Sequence, residues 1–372
     1  MEKLQQNKDE IVMLGLRKLF ELRGFTRVHV NRFEEYDLYI ENRNFLDSDN
    51  IITFMDMDGK LKSMKPDVTL SVVKNIPKKN EQHAEKLYYV DEICRVLKDS
   101  HEYKMLGQVG IELICPPDSF TNIETVELAL ESLAVIGGNY VLDVSHLGFV
   151  SGLLQSLGVN HLTEKEILTA LHAKSIHKVE SILDEYHITG QRRLNVLKLA
   201  ELSGNITVVL PEAERLICNE AMQNAYEELR HLAQVLEECD IAANVNLDFS
   251  VINDLDYYNG LIFHGYVEGL PDVVLTGGRY DNLMKKMGKS RGAIGFAVSL
   301  SELNTHFKTV ADYDFDVMIT YSENCKYSAL IARAKEYVAQ GKSVRLEKAG
   351  SSAHWKCKEY CQFDEHTINK EK

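Results

Sequence analysis

Strand-like runs lie on both sides of one long helical stretch, and that order constrains the fold more than any single motif. Residues 86–96 and 107–115 read as a hairpin-like pair of strands, joined by a polar connection at 98–104. A shorter pair, 51–57 and 61–64, flanks Asp58-Gly59, a dipeptide suited to a tight hairpin turn. Further strands are predicted at 25–30, 140–144, 245–249, 261–267 and 273–275, and 292–300 reads as a buried strand or a strand-to-helix join. Between them, residues 151–239 are rich in Leu, Ala, Glu and Lys at helical spacing, so a mostly helical insert is predicted there. Helices are also predicted at 9–23 and at 121–136, where Ile123, Val126, Leu130, Leu133 and Ala134 share a face. Another begins at 68, with Asp67 placed to cap it. Gly277-Gly278-Arg279-Tyr280-Asp281 reads as a turn into a helix at 282–287. Hairpins with interspersed helices give the α+β class, an antiparallel sheet flanked by helices.

The last sixty residues carry a strand (315–320), a helix (328–340) and a strand (343–346), the order of a βαβ unit, followed by a polar remainder expected to be poorly ordered. Within that remainder, His354, Cys357, Cys361 and His366 have a spacing that matches no familiar zinc site, so no metal is expected. The chain has 42 Lys+Arg against 56 Asp+Glu, a formal net charge of −14. Tight nucleic-acid binding rests on cations that neutralise phosphates, so this balance argues against a dominant phosphate-binding surface. Seven scattered cysteines, an odd number, suit reduced thiols rather than a disulfide framework. The charged N-terminus lacks the apolar core of a signal peptide, and no window approaches the roughly 20 apolar residues of a membrane span. A soluble, cytoplasmic protein is expected. There is no Walker loop and no Rossmann fingerprint, and no cofactor is expected.

Two groups of polar residues stand in apolar surroundings. Gln108 and Glu112 are four apart in a strand, which puts both on one face, with Val109 and Ile111 on the other. They form either the polar floor of a pocket or part of a solvated sheet face, and the pattern alone favours the latter. Asp256-Tyr257-Tyr258 offers ring faces and hydroxyls to a small planar ligand, or is a core tyrosine beside a surface one.

Taken in order, these segments resemble the histidyl-tRNA synthetase family. Lys65-Pro66-Asp67-Val68-Thr69 is similar to its Arg-Pro-Glu-x-Thr element. Residues 88–112 resemble the motif 2 hairpin, an arginine-bearing strand followed by Gln-x-Gly-x-Glu. Leu255-Asp256-Tyr257-Tyr258 is similar to the histidine-binding signature. Gly277-Gly278-Arg279-Tyr280-Asp281, with Gly295-Phe296-Ala297, resembles the approach to motif 3. The resemblance covers most of residues 1–303. It implies a class II synthetase-like core at 1–313 with a helical insert at about 151–240. It also implies a truncated remnant of an anticodon-binding α/β domain at 314–372.

The departures bear on activity. Where the family places an arginine before its Leu-Asp-Tyr-Tyr signature, this chain has Asn253-Asp254. The motif 2 carboxylate becomes Leu97 beside the retained Arg95, and the following loop, 98–104, holds no arginine. The motif 3 arginine becomes Glu302. Adenylate formation needs cations around a phosphorus carrying anionic oxygens, and losing one such group costs orders of magnitude in rate. This pattern resembles the family of regulatory subunits of ATP phosphoribosyltransferase. The resemblance implies a non-catalytic chain that works with a short-form catalytic subunit in the first step of histidine biosynthesis, with L-histidine as effector. It also implies a homodimer within a hetero-oligomer, through the motif 1 region at about 25–39, and no tRNA or membrane partner. The alternatives are a divergent synthetase-like ligase and an RNA- or protein-binding paralogue.

By the same resemblance, Asp67, Thr69 and Gln108 hold the α-amino end of histidine. Glu112 and Tyr258 meet the imidazole, Tyr257 and Tyr280 line the site, and Arg95 accepts the carboxylate. The chemistry suits those roles, since carboxylates and an amide oxygen accept from an ammonium and a glutamate accepts from an imidazole N–H.

Overall fold

The computed structural model describes residues 7–42, 51–76, 83–96, 102–116, 118–252, 258–301, 303–306, 313–350 and 355–363. The chain divides into two compact units, one of Val12–His306 and one of Met1–Ile11 with Phe307–Lys372. Its elements begin with α1 (Lys8–Leu22), β1 (Thr26–Arg27), β2 (Phe33–Glu35), α2 (Asp37–Glu41), β3 (Thr53–Met55), β4 (Leu61–Met64) and α3 (Val68–Asn75). Then come β5 (Glu85–Val96), β6 (Tyr103–Cys115), α4 (Ser119–Ile136) and β7 (Tyr140–His146). The insert follows as α5 (Leu147–Leu157), α6 (His161–His172), α7 (Ile176–Glu185), α8 (Gly190–Glu201), β8 (Ser203–Asn205), α9 (Ile206–Glu214) and α10 (Glu220–Glu238). The first unit closes with β9 (Val245–Asp248), β10 (Leu261–Val267), β11 (Leu275–Arg279), α11 (Asp281–Lys286), β12 (Gly292–Ser299) and α12 (Leu303–His306). The second holds β13 (Phe315–Tyr321), α13 (Tyr327–Ala339), β14 (Val344–Lys348) and β15 (Cys357–Phe363).

The first unit is built on a nine-stranded sheet in the order β1-β5-β6-β12-β11-β10-β7-β9-β8. Its pairings are antiparallel except β1 with β5 and β7 with β9. Helix α4 lies against β7, β10, β11 and β12. Asp118 caps its start by accepting from the Phe120 N–H, and Gly137 ends it at φ 90°, a conformation glycine adopts freely. Because α10 also packs on α4, its buried residues run round most of its circumference. In the insert, Gly152 lets α10 approach α5. A Cβ there would lie 2.8 Å from Met222 Cγ.

Three expectations are corrected. Gly277-Gly278 lies inside β11 rather than in a turn, and the chain turns only at Tyr280. The glycines serve close packing. A Cβ on Gly277 would sit 2.5 Å from Phe296 Cβ, and one on Gly278 2.7 Å from Tyr258 Cδ1. The motif 2 hairpin is longer than its polarity suggested, with Arg95 opposite Lys104 and Val96 opposite Tyr103. Polar side chains there signal solvent exposure and leave backbone pairing intact. The polar remainder of the tail includes β15, which pairs parallel with β13. The second unit is a three-stranded parallel sheet, β14-β13-β15, with Val317, Ile319, Leu330, Tyr337 and Phe363 in its core. Arg345 stacks on Trp355 there, its guanidinium 4.0 Å from the ring centroid. Among the described residues no group of His, Cys, Asp and Glu is arranged to hold a metal. His354 and His366 lie outside them.

Candidate functional site

Register across the sheet assembles a polar floor. Glu112 lies opposite Gly295, and Gly295 opposite Gly278. Gln108 lies opposite Ser299 on one side and Asp91 on the other. Directly opposed residues share a face, so Gln108, Glu112 and Asp91 line the same side of the sheet, while Val109 and Ile111 are fully buried on the other. The solvated-face reading fails for Glu112, which is 2% exposed. Gly295 makes that burial possible, since a Cβ there would lie 2.2 Å from Glu112 Oε2 and 2.3 Å from the Ile111 carbonyl oxygen.

The side chains over this floor come from distant segments. Pro66 precedes Asp67, and Asp67 is extended (φ −152°) and caps α3 by accepting from the Leu70 N–H at 2.8 Å. The first turn of α3 then aims Thr69 at the sheet, where its Oγ1 donates to Glu112 Oε1 at 2.6 Å. A buried ion pair fixes this segment from behind, Lys65 Nζ to Asp91 Oδ2 at 2.5 Å, and the Lys65 carbonyl accepts from the Cys94 N–H. From the other side, Tyr280 donates its phenolic hydroxyl to Glu112 Oε2 in a short contact. Tyr258 is half-buried and packs over Gly278.

Glu112 therefore contacts both Thr69 and Tyr280, with Asp67 nearby and Tyr258 over Gly278, while Gln108 shares the face four residues along β6. The backbone of Arg95 lies in β5, but its side chain is outside the described residues, as are Tyr257, Asn253, Leu97 and Glu302. One residue was missed. Tyr89 is buried on the same face, and its hydroxyl would lie 2.5 Å from a Cβ on Gly110. Its place follows from the strand register, in which Tyr89 pairs with Gly110, midway between Gln108 and Glu112, and the sequence pattern does not display that register.

Electrostatically the floor is unusual. Burial pushes the Glu112 carboxyl up to about 8, and the nearby Asp67 adds to the rise. The hydrogen bonds from Thr69 and Tyr280 oppose it. Burial likewise raises the Tyr89 phenol well above its ordinary value, with Glu112 and Asp67 contributing. Behind the pocket, Arg279 binds Asp281 Oδ2 at 2.9 Å and Asn122 Oδ1 at 2.9 Å. Asn122 donates to Glu228, which also meets His146 at 3.3 Å. This network runs from the residue next to Tyr280 to α10 of the insert. A cavity of about 430 Å³ lined by Leu38, Asn42, Met287 and neighbours touches none of the pocket residues.

A family model described as histidyl-tRNA synthetase matches residues 4–303. The chain belongs to the histidyl-tRNA synthetase family. The chain is similar to an ATP phosphoribosyltransferase regulatory subunit from Oceanobacillus iheyensis, 24% identical over 96% of this chain and 88% of that protein. A solved ATP phosphoribosyltransferase regulatory subunit/histidyl-tRNA synthetase from Bacillus halodurans superposes with a TM-score of 0.84 at 22% identity, covering 96% of this chain and 94% of the other. An ATP phosphoribosyl transferase (HisG:HisZ) complex from Thermotoga maritima supplies a chain with a TM-score of 0.62 at 19% identity, covering 78% and 97%. At such identities the structures establish the fold, a histidyl-tRNA synthetase-like class II core of the α+β class. Among the described residues, no helix is long and apolar enough to cross a membrane.

Proposed function

We propose that this chain is the regulatory, non-catalytic subunit of ATP phosphoribosyltransferase. In this reading it works with a short catalytic subunit in the first step of histidine biosynthesis, in the cytoplasm, and its pocket senses L-histidine. The observation that carries the reading is the mismatch between the two halves of the family's site. On the amino-acid side, Glu112 is buried between Thr69 and Tyr280 and Asp67 heads α3, an arrangement that supports the reading. The nucleotide half has Asn253, Leu97 and Glu302 where the family carries charged groups for ATP chemistry. Recognition survives such losses, and phosphoryl chemistry does not. The names of similar chains support the catalytic partner.

Histidine would meet Asp67, Thr69 and Gln108 with its ammonium and Glu112 and Tyr258 with its ring. Tyr257 and Tyr280 would line the site and Arg95 would take the carboxylate. In this reading the chain forms a homodimer and binds no tRNA, and the small sheet β2-β4-β3 supports the homodimer. Phe33 is 52% and Met55 66% exposed, and the Phe33 and Phe54 rings pack at 5.0 Å, an apolar surface that suits burial against a second copy. The test is reconstitution with a short-form catalytic subunit, measuring phosphoribosyl transfer with and without histidine. The reading requires transfer that depends on this chain and responds to histidine. Transfer indifferent to both would sink it, and histidine-dependent ATP–pyrophosphate exchange by the pure chain would show a ligase instead.

A further inference from the structure

Glu112 is a carboxyl placed where charge is poorly supported. Both its oxygens face hydroxyls, Thr69 from α3 and Tyr280 from the approach to α11. Strand β5 presents the Tyr89 phenol, and β12 presents Gly295, which has no side chain. Tyr258 stands over the adjoining strand. The Asp67 carboxyl is the neighbouring acid, and Asp91, further along β5, is paired with Lys65. Among the described side chains, no lysine or arginine contacts Glu112. The two hydroxyl donors favour the charged form, but a carboxyl buried this deeply with no countercharge in contact is driven toward its protonated form, because burial outweighs them.

We infer that the occupied pocket holds a single proton shared between Glu112 and the ring of its ligand, handed from the carboxyl to an imidazole nitrogen as histidine docks. The inference rests on the histidine-sensing reading above. In the step, the Glu112 O–H bond breaks and a ring N–H bond forms, and no proton passes to or from solvent. The product is a carboxylate facing an imidazolium, a charge-assisted pair that is stronger than a neutral one and is shielded from water.

The proton count fixes the pH dependence. Near pH 7 the empty pocket carries one proton on Glu112, whose carboxyl titrates at about 8. The free imidazole, titrating at about 6.5, carries none. Above pH of about 8 the free pocket has lost its proton, and binding must take one up. Below about 6.5 the free ring is already charged, and binding must release one. Affinity is therefore highest between these limits and falls about tenfold per pH unit beyond each.

The experiment is isothermal titration calorimetry of the full chain with L-histidine across this range, in two buffers of different ionisation heat. The expected result is net proton exchange near zero at neutral pH, uptake on the alkaline side and release on the acid side. Tyr280→Phe removes a hydrogen bond that favours the charged form of Glu112, so its alkaline limb moves to higher pH while its acid limb stays. A dissociation constant that is flat with pH, or release of a whole proton at neutral pH, overturns the shared proton while leaving histidine sensing intact. Absence of histidine binding at every pH, with the catalytic partner present or not, overturns the sensing reading itself.

Discussion

Replacing Glu112 with glutamine tests the electrostatics of the pocket without any ligand. In the unfolded chain this carboxyl titrates near 4.5, and in the folded protein burial carries it to about 8. Between those values the unfolded chain has released the proton and the folded chain still holds it. The folded state thus binds more protons, and stability falls as pH rises. The loss is about 1.4 kcal/mol per pH unit. Over the interval of about 3.5 pH units it approaches about 5 kcal/mol. The contribution is fully present below 4.5 and is exhausted above about 8. Glutamine has nearly the same shape and does not titrate. Its amide oxygen accepts from one of the two hydroxyls, and its NH₂ can donate to the other.

The quantity to measure is the difference in unfolding free energy between Glu112→Gln and the wild type, from urea titrations at several pH values. Other titrating groups, such as His264, which burial depresses to about 4, are common to both proteins and cancel. The variant should match or fall below the wild type near pH 5 and exceed it by several kcal/mol near pH 8, about the size worked above. A difference that stays constant across this range refutes the reasoning. It would mean that Glu112 is ionised in the folded protein, and the proton shared with a ligand would lose its source.

Two further outcomes follow from packing. Gly295→Ala puts a Cβ 2.3 Å from the Ile111 carbonyl, which strand pairing holds in place, and 2.2 Å from Glu112 Oε2. Overpacking of this kind costs about 1–3 kcal/mol, so thermal melting should drop and histidine binding should vanish, and wild-type values for both would show a looser floor. Phe33→Asp combined with Phe54→Asp should convert a dimer into a monomer of 42.3 kDa in light scattering after gel filtration. A dimer that persists would place the interface elsewhere.

Local patterns in the sequence carried much of the fold, and the limits are physical. Asp67 announced the start of α3 because a capping acid before an apolar helical run has one ready use. Spacing placed Gln108 and Glu112 on one face, since side chains on a strand alternate. Whether that face was wet or covered was not legible. The cover comes from Thr69, 43 residues away, and Tyr280, 168 residues away. The paired glycines of β11 were mistaken for a turn because glycine has no side chain to display a strand's period. Their cause lies in Phe296, Tyr258 and Leu261, which crowd them from neighbouring segments. The three-residue β8 and the polar β15 carry too little apolar alternation to stand out.

In the proposed reading, the division of the site explains how one fold can serve sensing without catalysis. A catalyst must bind charge that exists only in its transition state, and this is the work of cations at the nucleotide. A sensor needs only ground-state recognition, together with two states of unequal affinity. The floor of Gly110, Gly278 and Gly295 is too tightly packed to offer those states by itself. The groups that touch Glu112 are better placed. Thr69 belongs to a segment pinned to β5 through Lys65 and Asp91, and Tyr280 to one tied through Arg279 and Asn122 to Glu228 on α10. In the histidine-sensing reading, a ligand that draws the proton from Glu112 turns the carboxyl into a carboxylate and strengthens both hydroxyl contacts together. The two segments are thereby coupled through one carboxyl group, and the charge on Glu112 becomes the variable that the rest of the subunit can read.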